Sequence, residues 1–252
     1  MRGVGATYGL IGALPMSTRK LYMVLDTETV TSARTVFDLG YRIIDRKGNV
    51  YETGSYVVSE TVATVDGIVS MVTDSFTKTK APRYIMSLIC ETGEFTMVDF
   101  ATLRETINDV IARYNPVLAA YNITFDLNAL NKTSQKLLGV DFFDRMPELF
   151  DIWAAAMSTI CKAARYIQFI ADNGITTDKG NPQTGAEAVY KFITGNTDFE
   201  EAHTAAADCE IEAEIFAACL KTHRKMKRTP VRMCMHDDDW KEIVARYHAY
   251  AD

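Results

Sequence analysis

The pattern of apolar and polar positions changes along the chain, because runs typical of strands come first and strands then alternate with helices. An apolar run at 21–28 predicts a buried strand, and 36–58 predicts two more strands that turn at Gly48. In the stretch 100–114 apolar residues recur at helical spacing, and Pro116 ends the pattern. The first half of the chain therefore predicts a strand meander followed by a helix.

The rest of the chain predicts short strands that alternate with helices. The expected elements are a strand at 117–121, a helix at about 124–130, a strand running into a helix at 149–161, and helices at about 204–221 and 238–250. Thr184 and Glu187 have the spacing of a capping box for a further helix. Residues 59–99 predict a short helix near 66–76 and a hairpin. Together these elements predict a mixed sheet flanked by helices in one α/β domain.

Composition and charge exclude several classes of protein. A formal net charge of −6 with 48% hydrophobic residues is ordinary for a globular protein and argues against a generic basic nucleic-acid binder. No apolar stretch reaches the ~20 residues of a membrane helix, so we expect no membrane contact. The five cysteines form no C-x-x-C pair, which argues against disulfides or a zinc cluster and favours a reducing, cytoplasmic setting. Cys234 and His236 predict a surface pair rather than metal ligands.

Three segments of the chain differ in composition. Residues 1–19 begin with a glycine-rich, weakly apolar stretch, and we expect a flexible extension or a vector-derived remnant rather than a signal peptide. Residues 20–221 contain the predicted strands and helices of the domain. Residues 222–252 predict a basic linker and a C-terminal helix that packs on the domain.

Two carboxylates end the first predicted strand. Side chains alternate between faces with a period of two, so Asp26 and Glu28 point the same way. Like charges on one face repel, and burial strengthens the repulsion. A divalent metal ion is the natural partner, because hard cations prefer carboxylate oxygens. A solvated strand end is the alternative in a chain with 33 acidic residues.

Two later elements also carry polar groups at defined positions. Asn122 follows an apolar strand, and Asp126 lies in the first turn of the next helix, where an acid also suits the helix dipole. Asp208 shares the apolar stripe of a later helix, and His203 precedes it by five residues. An acid on a core-facing stripe needs a partner. The acids that lie mostly off this stripe, and that we expect to be solvated, are Glu210, Glu212 and Glu214.

The three elements, in this order, resemble the three motifs of the DEDDh family, the DnaQ-like 3′→5′ exonucleases that include proofreading subunits, RNase T and oligoribonuclease. The matching residues are D-x-E at Asp26 and Glu28, N-x-x-x-D at Asn122 and Asp126, and H-x-x-x-x-D at His203 and Asp208. The flanking stretches "FDLGYRIID", "YNITFD" and "EAHTAAADCEIEAEIF" are similar as well. The resemblance covers about residues 20–221, whereas 60–100 and the tail match no family pattern.

The resemblance implies an RNase H-like fold with a mixed five-stranded sheet. It implies a metal-dependent 3′→5′ exonuclease that releases nucleoside 5′-monophosphates from single-stranded DNA. The catalytic residues that it implies are Asp26, Glu28, Asp126, His203 and Asp208. The four carboxylates of this set would hold two Mg²⁺ or Mn²⁺ ions, and His203 would be the general base that deprotonates the attacking water. The Thr27 backbone and Asn122 would hold the 3′-terminal nucleotide.

The motifs leave the substrate and the partners open. The 3′ ends of single-stranded nucleic acid are the expected partner, with DNA favoured over RNA. RNA is the nearest alternative, because telling the two apart depends on a contact to the 2′-OH. A non-catalytic nucleic-acid-binding subunit on the same fold is the alternative from another class. A polymerase or another replication protein could be a further partner, and the oligomeric state is open.

Two basic stretches have both a functional and a structural interpretation. Residues 221–232 carry six Lys or Arg and no acid, and they could contact the phosphate backbone or form a solvated loop. Lys162, Arg165 and Tyr166 could contact a single strand, with a base stacked on the tyrosine ring. Tyrosine at such a position is more often a core residue.

Overall fold

A mixed sheet of six strands forms the centre of the protein. The computed structural model describes residues 20–30, 33–64, 95–222, 225–228 and 237–251. The strands are β1 Leu21–Thr29, β2 Val36–Asp45, β3 Val50–Val58, β4 Thr96–Val98, β5 Val117–Ala120 and β6 Leu149–Asp151. Their order across the sheet is β4-β3-β2-β1-β5-β6.

The sheet contains both strand orientations. β1, β2 and β3 form an antiparallel meander, whereas β5 is parallel to β1 and β6 is parallel to β5. The predicted mixed sheet flanked by helices is therefore confirmed. It has six strands rather than the expected five, because the three-residue strand β4 pairs in parallel with the outer edge of β3.

Helices cover both faces of this sheet. They are α1 Ser59–Val62, α2 Phe100–Tyr114, α3 Ile123–Leu137, α4 Ile152–Ala156, α5 Ala164–Asp172, α6 Ala186–Thr194, α7 Ala205–Lys221 and α8 Asp238–Ala251, and α4 continues into a π-helical turn at Met157–Cys161. None of the helices within the described ranges is long and apolar enough to span a membrane.

Two apolar layers enclose β1. Tyr22 and Val24 pack on one side in a core that includes residues of α4, α5, α6, α7 and α8. Met23 and Leu25 pack on the other side against α2 and α3. A strand that is covered on both faces needs apolar residues at successive positions, and this accounts for the continuous apolar run at the start of the domain.

The parallel strands end at one edge of the sheet, and β1 extends beyond its neighbour there. The last register pair between β1 and β5 is Val24 with Ala119, so β1 continues for five residues past it. Open α/β sheets bind ligands outside the carboxyl ends of their parallel strands. This edge is therefore where a functional site is expected.

The predicted capping box at the start of α6 is wrong. The residue before α6 is Gly185, and no side chain caps the helix. The Thr184 hydroxyl accepts a hydrogen bond from Trp153 Nε1 at 3.1 Å instead. Glu187 forms an ion pair with Lys191 one turn later.

The C-terminal residues contact the helical layer and the outer strand. Ile243 of α8 is buried in the core that also contains Tyr22 and Val24. Asp239 pairs with Lys162 and with Lys227, each at 2.6 Å. The Asp151 N–H of β6 donates to the carbonyl of Arg228 at 3.0 Å. These contacts join α8 and residues 225–228 to the rest of the domain.

Three sequence-based predictions concern residues outside the described ranges. They are the extension at 1–19, the helix near 66–76 and the surface pair of Cys234 and His236.

Candidate active site

β1 places the first two predicted acids on one face. The register with β2 sets Asp26 opposite Gly40 and Glu28 opposite Asp38. Residues directly opposite each other in an antiparallel pair share a face. The strand alternation therefore collects three carboxylates at one end of the sheet, on the face where the N-terminus of α7 lies.

Asp126 reaches β1 from the turn that begins α3. Asn122 precedes this helix with a φ of 68°, a left-handed conformation that asparagine adopts more readily than most residues. Asp126 Oδ1 accepts two hydrogen bonds from Thr27, one from the N–H at 3.0 Å and one from the hydroxyl at 2.8 Å. The Thr27 N–H thus positions Asp126, and contact of Thr27 or Asn122 with a nucleotide stays a prediction.

The start of α7 brings His203 and Asp208 to the same place. The Ala205 N–H donates to Asp38 Oδ2 at 3.0 Å, so an acid of β2 satisfies a donor that a helix N-terminus otherwise leaves free. Gly40 allows this close approach, because a Cβ there would lie 2.3 Å from the Ala205 carbonyl oxygen. His203 has a φ of 52°, and its backbone N–H donates to the Asp208 carboxylate.

The side chains that meet here fit a divalent metal ion. Glu28, His203 and Asp208 each offer one ligand atom, and these atoms lie within 4.8 Å of one another. Asp26 Oδ2 and Asp208 Oδ1 are buried and have no hydrogen-bond donor among the described residues. Such oxygens are costly to bury, and a hard cation satisfies them. With Asp126 beside them, these residues offer the oxygen donors that Mg²⁺ or Mn²⁺ prefers.

Burial and mutual repulsion raise the pKa values of the site carboxyls. Burial is the largest cause of the rise in the pKa of Asp26, and the charge of Glu212 is the next. For Glu28 and Asp208, burial again raises the pKa most and a neighbouring acid comes second. Burial raises the pKa of Asp126 to about 7, although hydrogen bonds to its carboxylate act in the opposite direction. The metal-free site therefore retains protons that ordinary carboxyls release.

We expect the metal-free protein to lose stability as the pH rises from about 4 to about 7. In this window the folded state keeps protons on these carboxyls that the unfolded state releases, so the free energy of unfolding falls with pH. Thermal melts of EDTA-treated protein between about pH 5 and pH 8 measure this fall, and Mn²⁺ should raise the Tm most at the upper end. The same Tm at both ends without metal would contradict the raised pKa values.

One acid that belongs to this cluster was assigned wrongly from the sequence. Glu212 is only 4% exposed, so the prediction that it is solvated is wrong, whereas Glu210 and Glu214 are exposed as predicted. The helix is buried on several sides, because it packs on the sheet and on other helices. The sequence feature that could have indicated its burial is its position four residues after Asp208, which places both acids on one helix face.

Two further acids lie near the site, and the sequence indicated their place in it less clearly. Asp38 is 1% exposed and lies between the buried apolar residues Phe37 and Leu39 of β2. Glu201 Oε2 lies 3.9 Å from His203 Nδ1, and burial raises the pKa of Glu201 to about 7. Asp38 positions α7, and Glu201 places an acid next to the imidazole.

The stretch around Lys162 follows the structural interpretation, in which Tyr166 is a core residue, rather than the alternative of contact with a single strand. Tyr166 is fully buried, and its hydroxyl donates to the Gln183 carbonyl at 2.8 Å. Lys162 pairs with Asp239 of α8. The hypothesis of base stacking on Tyr166 is therefore wrong, although Arg165 is exposed.

The basic stretch 221–232 is described only in part. Lys227 pairs with Asp237 and Asp239, so its charge is already compensated. Lys225 and Arg228 are exposed. Contact of this stretch with a phosphate backbone stays a prediction.

Comparison with known proteins gives structural matches alone. No protein-family model and no curated protein sequence matches the chain. A crystal structure of SSB/exonuclease I in complex with an inhibitor matches with a TM-score of 0.50 and 13% identity, over 82% of this chain and 42% of that chain. E. coli exonuclease I in complex with an oligonucleotide has a TM-score of 0.45 and 16% identity, over 81% and 40%. Exonuclease X in complex with 5′ overhanging duplex DNA has a TM-score of 0.42 and 14% identity, over 83% and 97%.

These matches concern the fold. The chain spans less than half of the exonuclease I chains that it matches, because it covers 42% of the one with the TM-score of 0.50. The shared architecture is the mixed sheet flanked by helices on both faces. The chain therefore has an RNase H-like fold, which it shares with exonuclease I.

Proposed function

We propose that the protein is a metal-dependent 3′→5′ exonuclease of the DEDDh type that acts on single-stranded DNA and releases nucleoside 5′-monophosphates. The observation that supports this is the convergence of residues from three distant segments of the chain. They are Asp26, Glu28, Asp126, His203 and Asp208. Four carboxylates and one imidazole at the carboxyl end of a parallel strand pair suit metal-assisted hydrolysis of a phosphodiester.

The four carboxylates of this set would hold two Mg²⁺ or Mn²⁺ ions, which supply an activated water and compensate the charge of the phosphate. That compensation explains how a chain with a net charge of −6 can accept a polyanion. The residues around the acids fix them before substrate binds. Thr27 holds the Asp126 carboxylate, and Asp38 holds the N-terminus of the helix that carries Asp208.

His203 is the proposed general base. Its imidazole would take the proton of the attacking water, as positioned histidines do near neutral pH. In its ionised form, the Glu201 carboxylate, 3.9 Å from Nδ1, would stabilise the imidazolium that then forms.

Replacing His203 with alanine should lower kcat by about 10²–10⁴-fold and leave metal-dependent DNA binding intact, because the carboxylates remain. Single-turnover hydrolysis and Mn²⁺-dependent binding to a labelled oligonucleotide separate these two effects. His248→Ala changes an exposed histidine of α8 and is the matched control. Equal turnover in His203→Ala, or loss of Mn²⁺ binding, would remove the general-base assignment.

The proposed function is tested by a gel assay with 5′-labelled single-stranded DNA, matched RNA and duplex DNA. Each substrate is incubated with Mg²⁺, Mn²⁺ or EDTA, beside the variant Asp26→Ala. The expected result is a metal-dependent ladder that shortens from the 3′ end of single-stranded DNA and is lost in the variant. A stronger ladder on RNA would assign an exoribonuclease. Binding without hydrolysis of any substrate would favour a non-catalytic nucleic-acid-binding subunit.

A further inference from the structure

The side chain of Glu212 lies inside the acidic site, where neither the sequence motifs nor the proposed two-metal scheme assigns a residue. Glu212 follows Asp208 by one helical turn on α7 and is 4% exposed. Its neighbours Glu210 and Glu214 on the same helix are exposed. Glutamate is almost never fully buried unless it is paired, so the burial of this one calls for a physical reason.

One contact of Glu212 connects two parts of the site. Glu212 Oε2 accepts a hydrogen bond from the Tyr121 N–H at 3.1 Å. Tyr121 directly follows β5 and precedes Asn122, the residue from which α3 begins. The bond therefore ties the helix that carries Asp208 to the turn that leads to Asp126.

The charge of Glu212 acts on the same acids. The Glu212 carboxylate interacts electrostatically with those of Asp26, Asp126 and Asp208. One backbone N–H offsets only part of the cost of burying a carboxylate among other carboxylates. A cation in the site would offset the rest.

An independent observation points to a cation-binding role for this place. Asp208 is 9% exposed, and its Oδ1 is buried without a hydrogen-bond donor among the described residues. An oxygen in this situation, one turn from Glu212, is the kind of atom that a bound cation satisfies.

We propose that Glu212 is a fifth carboxylate of the metal centre. It is a positioning residue that draws the ions by its charge and holds the Asp126 turn against α7 through Tyr121. The proposal rests on the proposed function in one respect, since it takes the metal centre to be the one that the four motif carboxylates form.

The test is a calorimetric titration of the full chain with Mn²⁺ in the absence of nucleic acid. Glu212→Gln keeps an acceptor for the Tyr121 N–H and removes the charge, so its Mn²⁺ affinity should fall about tenfold, as is usual for groups that support metal ligands. Glu214→Gln removes an exposed charge from the same helix and should bind like the wild type. Glu212→Asp retains the charge and should bind more tightly than Glu212→Gln.

Each outcome of the titration supports or overturns the proposed role of Glu212. Mn²⁺ affinity of Glu212→Gln within twofold of the wild type would overturn the proposal, and so would equal affinities of Glu212→Gln and Glu212→Asp. Circular dichroism in EDTA establishes that the variants are folded, which is expected of Glu212→Gln because it keeps the size of the side chain and the acceptor for the Tyr121 N–H. A wild type that hydrolyses nothing while Glu212→Gln still weakens Mn²⁺ binding would remove the exonuclease and keep the role of Glu212. An active wild type with unchanged Mn²⁺ binding in Glu212→Gln would keep the exonuclease and remove the role of Glu212.

Discussion

Replacing Asp208 with asparagine should lower the rate of hydrolysis about a thousandfold and also raise the Tm of the metal-free protein. Loss of one of the proposed metal-binding carboxylates would remove several kcal/mol of transition-state stabilisation, and each 1.4 kcal/mol changes the rate about tenfold. The same substitution removes a charge that burial and the neighbouring Glu201 disfavour. Each kcal/mol of relief corresponds to about 2–4 °C in Tm for a chain of this size.

Single-turnover hydrolysis in Mg²⁺ and thermal melts in EDTA measure the two effects of Asp208→Asn. The control is Asp109→Asn, which makes the same chemical change at an exposed position of α2 and should alter neither quantity. Two further results are expected for Asp208→Asn, a smaller rise of Tm on adding Mn²⁺ and a shallower dependence of Tm on pH. A lower Tm in EDTA would mean that Asp208 stabilises the metal-free fold, in conflict with its raised pKa.

Replacing Gly40 with alanine should destabilise the protein and reduce activity together. The added Cβ would lie 2.3 Å from the Ala205 carbonyl oxygen and 2.5 Å from the Ala206 nitrogen, and backbone atoms cannot rotate away as a side chain can. Forced overpacking costs about 1–3 kcal/mol, which corresponds to about 2–12 °C in Tm. Because α7 must move away from β2, Asp208 and His203 move with it, and a displacement of about 1 Å can cost 10²-fold in rate.

The measurements for Gly40→Ala are a thermal melt and the hydrolysis rate well below the new Tm. Gly185→Ala is the matched control, because nothing lies within 4 Å of a Cβ at that position. Activity close to that of the wild type in a folded Gly40→Ala protein would show that the position of the α7 N-terminus is not critical. A lower Tm with an unchanged rate of hydrolysis would show that the close packing at Gly40 contributes to stability and is not needed for catalysis.

The positions of the first two motifs in the site follow largely from the periodicity of strands and helices in the sequence. The pairing of Asp26 with Glu28 on one face required only strand alternation. The strand before Asn122 and the helix after it were both predicted, and parallel neighbours place their carboxyl ends together. The position of Asp126 at β1 also depends on the strand order across the sheet, which the pattern alone does not give.

The rest of the site depends on contacts between elements that are distant in sequence. Glu212 looked solvated because a helix was expected to have one apolar stripe, whereas α7 is buried on several sides. Asp38 acts as a cap for a helix 167 residues away, which no local pattern could indicate. Thr184 had the spacing of a capping box, but its hydroxyl contacts Trp153 on another helix. Tertiary contacts override local preference in each of these cases.

The bond between Asp151 and Arg228 also bears on self-association. β6 is an outer strand of the sheet, and an uncovered outer strand offers its N–H and C=O groups to strands of other molecules. The chain after α7 returns along this strand, and the Arg228 carbonyl takes up the Asp151 N–H. Exposed positive charges at Lys225 and Arg228 add repulsion between copies at the same place. Part of a stretch whose composition suggested contact with nucleic acid thus satisfies a backbone donor of the outer strand, and this bond leaves that donor unavailable to another copy.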